Sequence, residues 1–263
     1  MEPANLSSRS ESRAKEVMEE AAEDDHVKHV FTEHELSKIR ALRMEVEKEN
    51  VCAKAIDDFT LLRFLRARDL DLHKASKMFL KYLSWRTAML PNGCISPSEI
   101  RNELAQNKLY MQGVDKMNRP IVVVFGAKHT PYKGSLEEFK RFIVYTLEKI
   151  STSISSKDGK YCAIADVGGW KYSNSDIRGY LAAVSILQDY YPERLETVFM
   201  VHVPSLFMTA WKLVYPVLDS KTRKKILFVD DKHLTQTLLE HIDQSQLPEI
   251  YGGELDLVPI QDS

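Results

Sequence analysis

Four short runs of consecutive apolar residues alternate with helix-like segments in the second half of the chain, and this order constrains the fold more than any other feature. The runs span residues 120–125, 161–167, 197–203 and 226–229. They are nearly continuous rather than alternating, which is typical of strands covered on both faces. Helical spacing of apolar residues marks 135–150 and 176–190 between them. Strands and helices in alternation predict an α/β protein with a mostly parallel sheet and flanking helices.

The first 95 residues have a different character. Residues 1–30 contain eight acidic and four basic residues and few large apolar ones, so we predict a flexible acidic tail there. Residues 31–95 contain three segments with helical spacing of apolar residues and predict a compact N-terminal helical unit. The formal net charge of the whole chain is −2, which gives no indication of a nucleic-acid partner.

The motifs of common α/β enzymes are missing. The sequence has no P-loop, no glycine-rich dinucleotide turn and no nucleophile elbow. The cysteines Cys52, Cys94 and Cys162 lie far apart, so zinc and redox motifs are absent and a reducing compartment is expected. No apolar stretch reaches the roughly 18 residues of a membrane span, and no secretory leader is evident. These observations predict a cytoplasmic protein that is not an enzyme and holds no metal.

Residues 205–218 form the most apolar segment that fits a helix. Only Thr209 and Lys212 interrupt the ring of apolar side chains around it. Such a helix is either buried in a core or faces lipid on one side. Periodicity favours the core helix, and a lid over a hydrophobic ligand is the second interpretation. Four basic residues follow within 220–225; they form either a solvated face or a surface for anionic lipid headgroups.

Arg68 is a charged residue on an apolar helix face. At about 100° per residue its side chain falls on the same side as Leu61, Phe64 and Leu65. An unpaired charge is unfavourable in apolar surroundings. Arg68 therefore requires a carboxylate partner, which is the commoner arrangement, or an anionic ligand.

Short motifs occur in a fixed order across residues 33–255. They include DFTLLRFLRAR at 58–68, GVDKMNRP at 113–120, YYPER at 190–194 and LPEIYGG at 247–253. Together they resemble the CRAL-TRIO lipid-binding family, most closely its phosphatidylinositol transfer proteins of the secretory-pathway type. The resemblance implies a helical unit over 31–95, a lipid-binding domain over 96–258, and a mobile gate helix that encloses a cavity for one lipid.

The resemblance also assigns residues to a phosphatidylinositol site. It implies that the headgroup contacts Arg68, Glu193, Thr222 and Lys225. The basic groups of Arg68 and Lys225 can neutralise a phosphodiester. The Thr222 hydroxyl can donate a hydrogen bond, and the Glu193 carboxylate can accept one from inositol hydroxyls. The gate helix and acyl pocket would contain Leu206, Phe207, Ala210, Trp211, Val214 and Val217.

Two further residues are possible cavity lining. Tyr161 and Ala163 stand where relatives that also carry phosphatidylcholine have hydroxyl side chains. This difference argues against phosphatidylcholine as a second ligand. A single tyrosine hydroxyl in a narrower cavity would instead suit a compact sterol.

These predictions combine into one function. We expect a monomeric protein that associates transiently with membranes, binds one phosphatidylinositol or related phospholipid, and exchanges it when the gate helix opens. The lipid is the ligand, and no cofactor is required. A carrier or sensor for a sterol or another non-phospholipid hydrophobe is the main alternative, and a soluble α/β enzyme is the second.

Overall fold

The computed structural model describes residues 31–132, 134–156 and 158–263. The acidic tail predicted for residues 1–30 lies outside the described residues. Within the described ranges, no helix combines the length and the apolar character that crossing a bilayer requires.

The first compact unit is helical, as the sequence predicts. It contains α1 (Glu33–Glu49), α2 (Asp58–Arg66) and the first part of α3 (Leu72–Met89). A capping box of Thr32 and Glu35 starts α1, and the Asp57 carboxylate caps α2. The largest fully buried side chains of this unit are Ile39, Leu42, Leu61, Phe64, Leu65 and Phe79.

The two compact units divide between Leu80 and Lys81, inside α3. This division falls earlier than the boundary at residue 95 that the sequence suggests. The last two turns of α3 belong to the second unit because their side chains are bound there. The Trp85 ring stacks on Tyr190 with centroids 3.9 Å apart, and Arg86 pairs with Glu148 through both guanidinium nitrogens.

A five-stranded sheet organises the second unit. Its strands are β1 (Leu109–Val114), β2 (Pro120–Phe125), β3 (Tyr161–Asp166), β4 (Leu195–Val201) and β5 (Ile226–Phe228). They pair in the order β1-β2-β3-β4-β5; β1 is antiparallel to β2, and the other pairs are parallel. The mostly parallel sheet predicted from the apolar runs is confirmed.

Helices cover both faces of the sheet. Parallel strands that follow one another in order require right-handed crossovers, which place the connecting helices on the same face. After the short α4 (Arg101–Ala105), α5 (Leu136–Ser153) and α6 (Ile177–Tyr190) therefore pack on one face. Leucines of α9 (Leu234–His241), together with Tyr251, cover the other. Double coverage explains why the central strands are apolar at successive positions.

The apolar segment at 205–218 contains a shorter helix than its composition suggests. Helix α7 (Phe207–Val214) continues as a 3₁₀ turn (Tyr215–Val217), and α8 (Ser220–Arg223) follows. Pro216 ends the α-helical pattern because proline has no backbone N–H to donate.

A buried polar cluster lies beside the start of the sheet. The Lys108 ammonium contacts the Glu103 carboxylate, and it lies 2.8 Å from Nδ1 of His129. All three residues are buried. Burial, together with the neighbouring Lys108 charge, lowers the pKa of His129 to about 4.

We expect His129 to make the protein sensitive to acid. Its folded-state pKa of about 4 lies below the ~6.5 of an unfolded chain, so its stabilising contribution is complete above about pH 6.5 and is lost as the pH falls towards 4. The loss amounts to at most about 3 kcal/mol. Urea unfolding between pH 7 and 4 should show a flatter profile for His129→Asn than for the parent chain. The exposed His73 gives the control: His73→Asn should reproduce the parent slope, and an unchanged slope in His129→Asn would contradict the prediction.

Candidate functional site

An apolar cavity of about 230 Å³ lies between α7 and the carboxyl-terminal halves of the central strands. Helix α7 contributes Phe207, Ala210, Trp211 and Val214, at the i, i+3, i+4 and i+7 positions of one helix face. The other walls are formed by the sheet, by α6 and by the loop after β3, and consist of Val124, Gly126, Ala165, Val167, Trp170, Tyr180, Ala183, Val184 and Met200.

Small side chains create this space. Ala165 on β3, Ala183 on α6 and Ala210 on α7 all face the cavity. Large aromatic groups surround the gap: the Trp170 and Phe207 rings meet edge to face with centroids 5.6 Å apart. Since protein interiors are otherwise closely packed, a gap of this size is a candidate ligand site.

The polar side-chain atoms of Tyr180 and Trp170 in the cavity wall are already bonded within the protein. The Tyr180 hydroxyl donates to the carbonyl of Asn174 at 2.6 Å, and Trp170 Nε1 donates to the Tyr180 oxygen at 3.3 Å. The remaining lining side chains are apolar or glycine. The cavity therefore suits a hydrocarbon segment better than a polar or charged group.

The opposite side of the α7 segment is also apolar. Leu213 is 57% exposed, and Tyr215 and Val217 of the 3₁₀ turn are exposed as well. On the adjoining strand β5, Leu227 and Phe228 add further exposed apolar surface. We call these five residues the outer apolar surface. One face of the helix therefore packs inward, as a core helix would, and the other is exposed to solvent.

Basic side chains lie next to the outer apolar surface. The Arg223 guanidinium stacks over the Tyr215 ring at 4.7 Å and donates to the carbonyl of Pro216. Lys212 is on α7, and Lys224 is exposed directly after α8. Apolar groups flanked by cations favour contact with an anionic lipid surface.

A charged site lies at the amino end of β4 and β5. The Glu193 carboxylate is 3.7 Å from the Lys225 ammonium, which also donates to the carbonyl of Leu195 at 2.8 Å. The backbone N–H of Lys225 donates to the carbonyl of Thr222. The structure therefore brings together three of the four headgroup residues assigned from the sequence.

Thr222 takes part in a helix cap as well. Its hydroxyl donates to Asp219 Oδ2 at 2.6 Å, and its N–H donates to Asp219 Oδ1 at 2.9 Å. Burial opposes ionisation of Asp219, but these bonds, together with one from the Lys221 N–H and the nearby Lys225 charge, hold its pKa below the usual value. An anion bound at this site would lie near the fixed Asp219 carboxylate. Its attraction would therefore have to come from the Lys225 ammonium and the Thr222 hydroxyl.

Arg68 lies in the first unit, where it follows α2. Its Nη1 donates to the carbonyl of Ala67 at 2.9 Å. The carboxylate partner that the sequence makes the commoner expectation is not found among the described residues. The assignment of Arg68 to a headgroup stays a prediction from the resemblance.

The remaining assigned residues are those of the gate helix and acyl pocket and those given as possible cavity lining. Phe207, Ala210, Trp211 and Val214 line the cavity, whereas Leu206 packs beside it and Val217 is exposed. Tyr161 and Ala163 are on the same sheet face as the cavity, but they are buried in the core under α5 and α6.

Sequence reasoning missed the wall that α6 and the loop after β3 contribute. Trp170, Ala183 and Val184 line the cavity, yet helical periodicity shows only that α6 has an apolar side. The sequence feature that could have indicated this wall is the presence of alanines on β3, α6 and α7. Small residues on three facing elements indicate space only once their packing partners are known.

The charged site and the cavity lie at opposite ends of β4. Leu195, whose carbonyl binds Lys225, starts the strand, and Met200 lines the cavity five residues later. At about 3.3 Å per residue the two regions are roughly 17 Å apart along the strand. This spacing is comparable with an extended acyl chain.

The sequence model of the CRAL/TRIO domain matches residues 104–253, and that of the CRAL/TRIO N-terminal domain matches residues 18–81. The chain therefore belongs to the CRAL/TRIO family. Within it the chain is similar to SEC14 cytosolic factors: that of Eremothecium gossypii is 30% identical over 243 residues, which cover 86% of this chain and 78% of the relative.

Two other comparisons concern one relative by sequence and one solved structure by fold. The phosphatidylinositol/phosphatidylcholine transfer protein SFH12 of Arabidopsis thaliana is 29% identical over 247 residues, covering 86% of this chain but 45% of that protein. The crystal structure of Sfh5 matches the fold with a TM-score of 0.62 at 16% identity, covering 87% of this chain and 94% of Sfh5.

Proposed function

We propose that this protein binds one phosphatidylinositol and exchanges it between membranes, acting in the cytoplasm. The observation that carries the proposal is the apolar cavity beneath α7. The outward side of α7 and of the turn that follows it is apolar as well. The relatives named as SEC14 cytosolic factors and as a phosphatidylinositol/phosphatidylcholine transfer protein support it. Exchange of a bound lipid needs no covalent chemistry and therefore no catalytic residue.

In this proposal the charged site holds the headgroup. The Lys225 ammonium binds the phosphodiester, and the Glu193 carboxylate accepts hydrogen bonds from inositol hydroxyls. The Thr222 hydroxyl adds a donor once it turns from Asp219 towards the ligand. The acyl chains then extend along β4 into the cavity under α7.

Opening of α7 accounts for exchange at a membrane. The cavity of about 230 Å³ is smaller than the roughly 300–1,000 Å³ of typical ligand pockets, so its walls must move apart to admit acyl chains. A bound chain cannot escape into water, because exposure of each CH₂ costs about 0.8 kcal/mol. Contact of the outer apolar surface with the bilayer gives α7 an apolar environment in the open state.

The bound lipid identifies the ligand directly. We expect phosphatidylinositol when the purified full-length chain is extracted with organic solvent and the extract is analysed by mass spectrometry. Labelled phosphatidylinositol should also move from donor to acceptor vesicles when the protein is added. A sterol in the extract, together with no phosphatidylinositol transfer, would contradict this proposal and support the alternative function of a sterol carrier. Absence of any lipid and of any transfer would reject both.

Replacing Lys225 with alanine should lower phosphatidylinositol transfer by about tenfold or more, since a charge-assisted hydrogen bond to the phosphodiester is lost. Thermal unfolding should show that the fold is retained. Lys224→Ala is the matched control, because it removes the same charge one residue away from an exposed position. It should weaken vesicle association at low salt without changing the preference for phosphatidylinositol. Equal effects of the two variants would contradict the assignment of Lys225.

A further inference from the structure

The backbone that presents Glu193 is unusual. Glu193 has a φ of 57°, in the left-handed region that Gly and Asn normally occupy. Its neighbour Pro192 has a φ fixed by its ring. A glutamate keeps such a conformation only where the surrounding structure enforces it, and strained residues of this kind often mark functional sites.

The residues before this turn are held by a network that joins α3 and α5. Arg86 donates to both carboxylate oxygens of Glu148, at 2.8 and 2.7 Å. The Tyr191 hydroxyl donates to the same carboxylate at 2.6 Å. Tyr190, one residue earlier, is stacked on Trp85 with the two rings only 4° from parallel.

The geometry leaves Tyr191 little freedom to move. The side chain is 8% exposed, and its hydroxyl is fixed to a carboxylate that a bidentate arginine also holds. Burial opposes ionisation of Glu148, but the bonds from Arg86 and Tyr191 keep its pKa below the usual value. The network therefore keeps its charges, and its hydrogen bonds remain strong at neutral pH.

The residue after the turn is fixed too. The Arg194 carbonyl accepts a hydrogen bond from the Tyr161 N–H at 2.9 Å, and Arg194 Nη1 donates to the carbonyl of Gly159. Glu193 thus lies between two anchored residues, Tyr191 and Arg194, and its carboxylate is 3.7 Å from the Lys225 ammonium.

We propose that Arg86, Glu148 and Tyr191 form a positioning unit for Glu193, and that this unit sets the preference for a headgroup rich in hydroxyls. The inference rests on the proposed function, in which Glu193 accepts hydrogen bonds from inositol. A carboxylate that moves by a fraction of an ångström can still sit near Lys225, but it no longer matches the ring hydroxyls. Tyr191 acts through Glu193 and does not contact the lipid.

The test compares two lipids with the same phosphodiester and acyl chains. Phosphatidylinositol has inositol hydroxyls, and phosphatidylmethanol has none. Vesicle transfer of both is measured for the parent chain, Glu193→Gln, Tyr191→Phe and the double variant. We expect the ratio of phosphatidylinositol to phosphatidylmethanol transfer to fall about tenfold in Glu193→Gln and about threefold in Tyr191→Phe. In the double variant the ratio should equal that of Glu193→Gln alone, because Tyr191 acts through the carboxylate that is already missing.

Tyr251→Phe separates positioning from general stability. Tyr251 is also buried, and its hydroxyl bonds a carboxylate, that of Asp166, at 3.0 Å. This variant should lower the melting temperature much as Tyr191→Phe does, without changing the lipid ratio. A ratio that is unchanged in Tyr191→Phe, or additive effects in the double variant, would overturn the inference while leaving the headgroup assignment in place. A ratio unchanged in Glu193→Gln would overturn the headgroup assignment itself.

Discussion

Replacing Ala165 with phenylalanine should eliminate lipid transfer while leaving the fold at least as stable as before. Ala165 lies on β3 in the wall of the cavity, which Ala210 of α7 also lines. A benzyl group there occupies a large share of the roughly 230 Å³ that acyl chains must enter. Filling an existing cavity commonly adds about 0.5–2 kcal/mol of stability. The measurements are vesicle transfer of labelled phosphatidylinositol, lipid content after purification and the melting temperature.

The same substitution two residues earlier gives a matched control. Ala163 points to the same side of β3, but it packs against the closely packed core under α5 and α6. Ala163→Phe should therefore destabilise the protein by about 1–3 kcal/mol through overpacking. Transfer that persists in Ala165→Phe would show that the acyl chains do not use the cavity under α7. Equal destabilisation by both variants would show that this cavity is not a real gap in the packing.

Replacing Lys108 with methionine should reduce the free energy of unfolding by about 3–5 kcal/mol, the usual effect of removing one partner of a buried ion pair. Lys108 is the cation that the buried Glu103 carboxylate contacts, and one Glu103 oxygen already has no hydrogen-bond partner. Burial raises the pKa of Glu103 and lowers that of Lys108, so neither charge is favourable without the other. Urea denaturation at pH 7 measures the loss.

A second substitution tests this explanation. In Glu103→Leu combined with Lys108→Met both charges are removed, and an apolar pair of similar size takes their place. Such replacements are often neutral or stabilising, so the double variant should recover most of the stability that Lys108→Met loses. A double variant as unstable as the single one would indicate that Lys108 acts mainly through its packing on the Phe139 and Phe142 rings.

The proposed function assigns the two ends of one lipid to separate parts of the second unit. The charged site belongs to the turns at the amino ends of β4 and β5, where backbone caps and ion pairs fix the side chains. The cavity belongs to the carboxyl-terminal halves of the strands and to α7, where small apolar residues leave space. If the proposed function holds, different substitutions should therefore alter headgroup selectivity and acyl-chain binding.

Much of the fold could be predicted because its signals are local. Near-continuous apolar runs identify β2, β3 and β4, and helical spacing identifies α5 and α6. The antiparallel edge strand β1 has no such run; it alternates in burial and has an irregular register between Met111 and Val114. The extent of α7 was also misjudged, because Pro216 ends the helix inside a segment that is apolar throughout.

The candidate site could be predicted only in part. Motif resemblance brought Glu193, Thr222 and Lys225 into one hypothesis, and the structure places them beside one another. It could not show that Thr222 is engaged by Asp219. Nor could it show that Tyr161 lies in a packed core while Trp170 and Tyr180 line the cavity. The packing of Tyr161 and the cavity wall depend on contacts between residues far apart in the chain, and no local pattern records them.

The sequence by itself determined the layers of this protein. The apolar runs are long enough for buried strands, and amphipathic helices separate them. A parallel sheet covered by helices on both faces is the arrangement that buries these strands. Only the tertiary structure decided where the packing is incomplete. Ala165, Ala183 and Ala210 come from three separate elements and line the same cavity. Each alanine alone is compatible with a full core, and only their juxtaposition leaves room for a ligand.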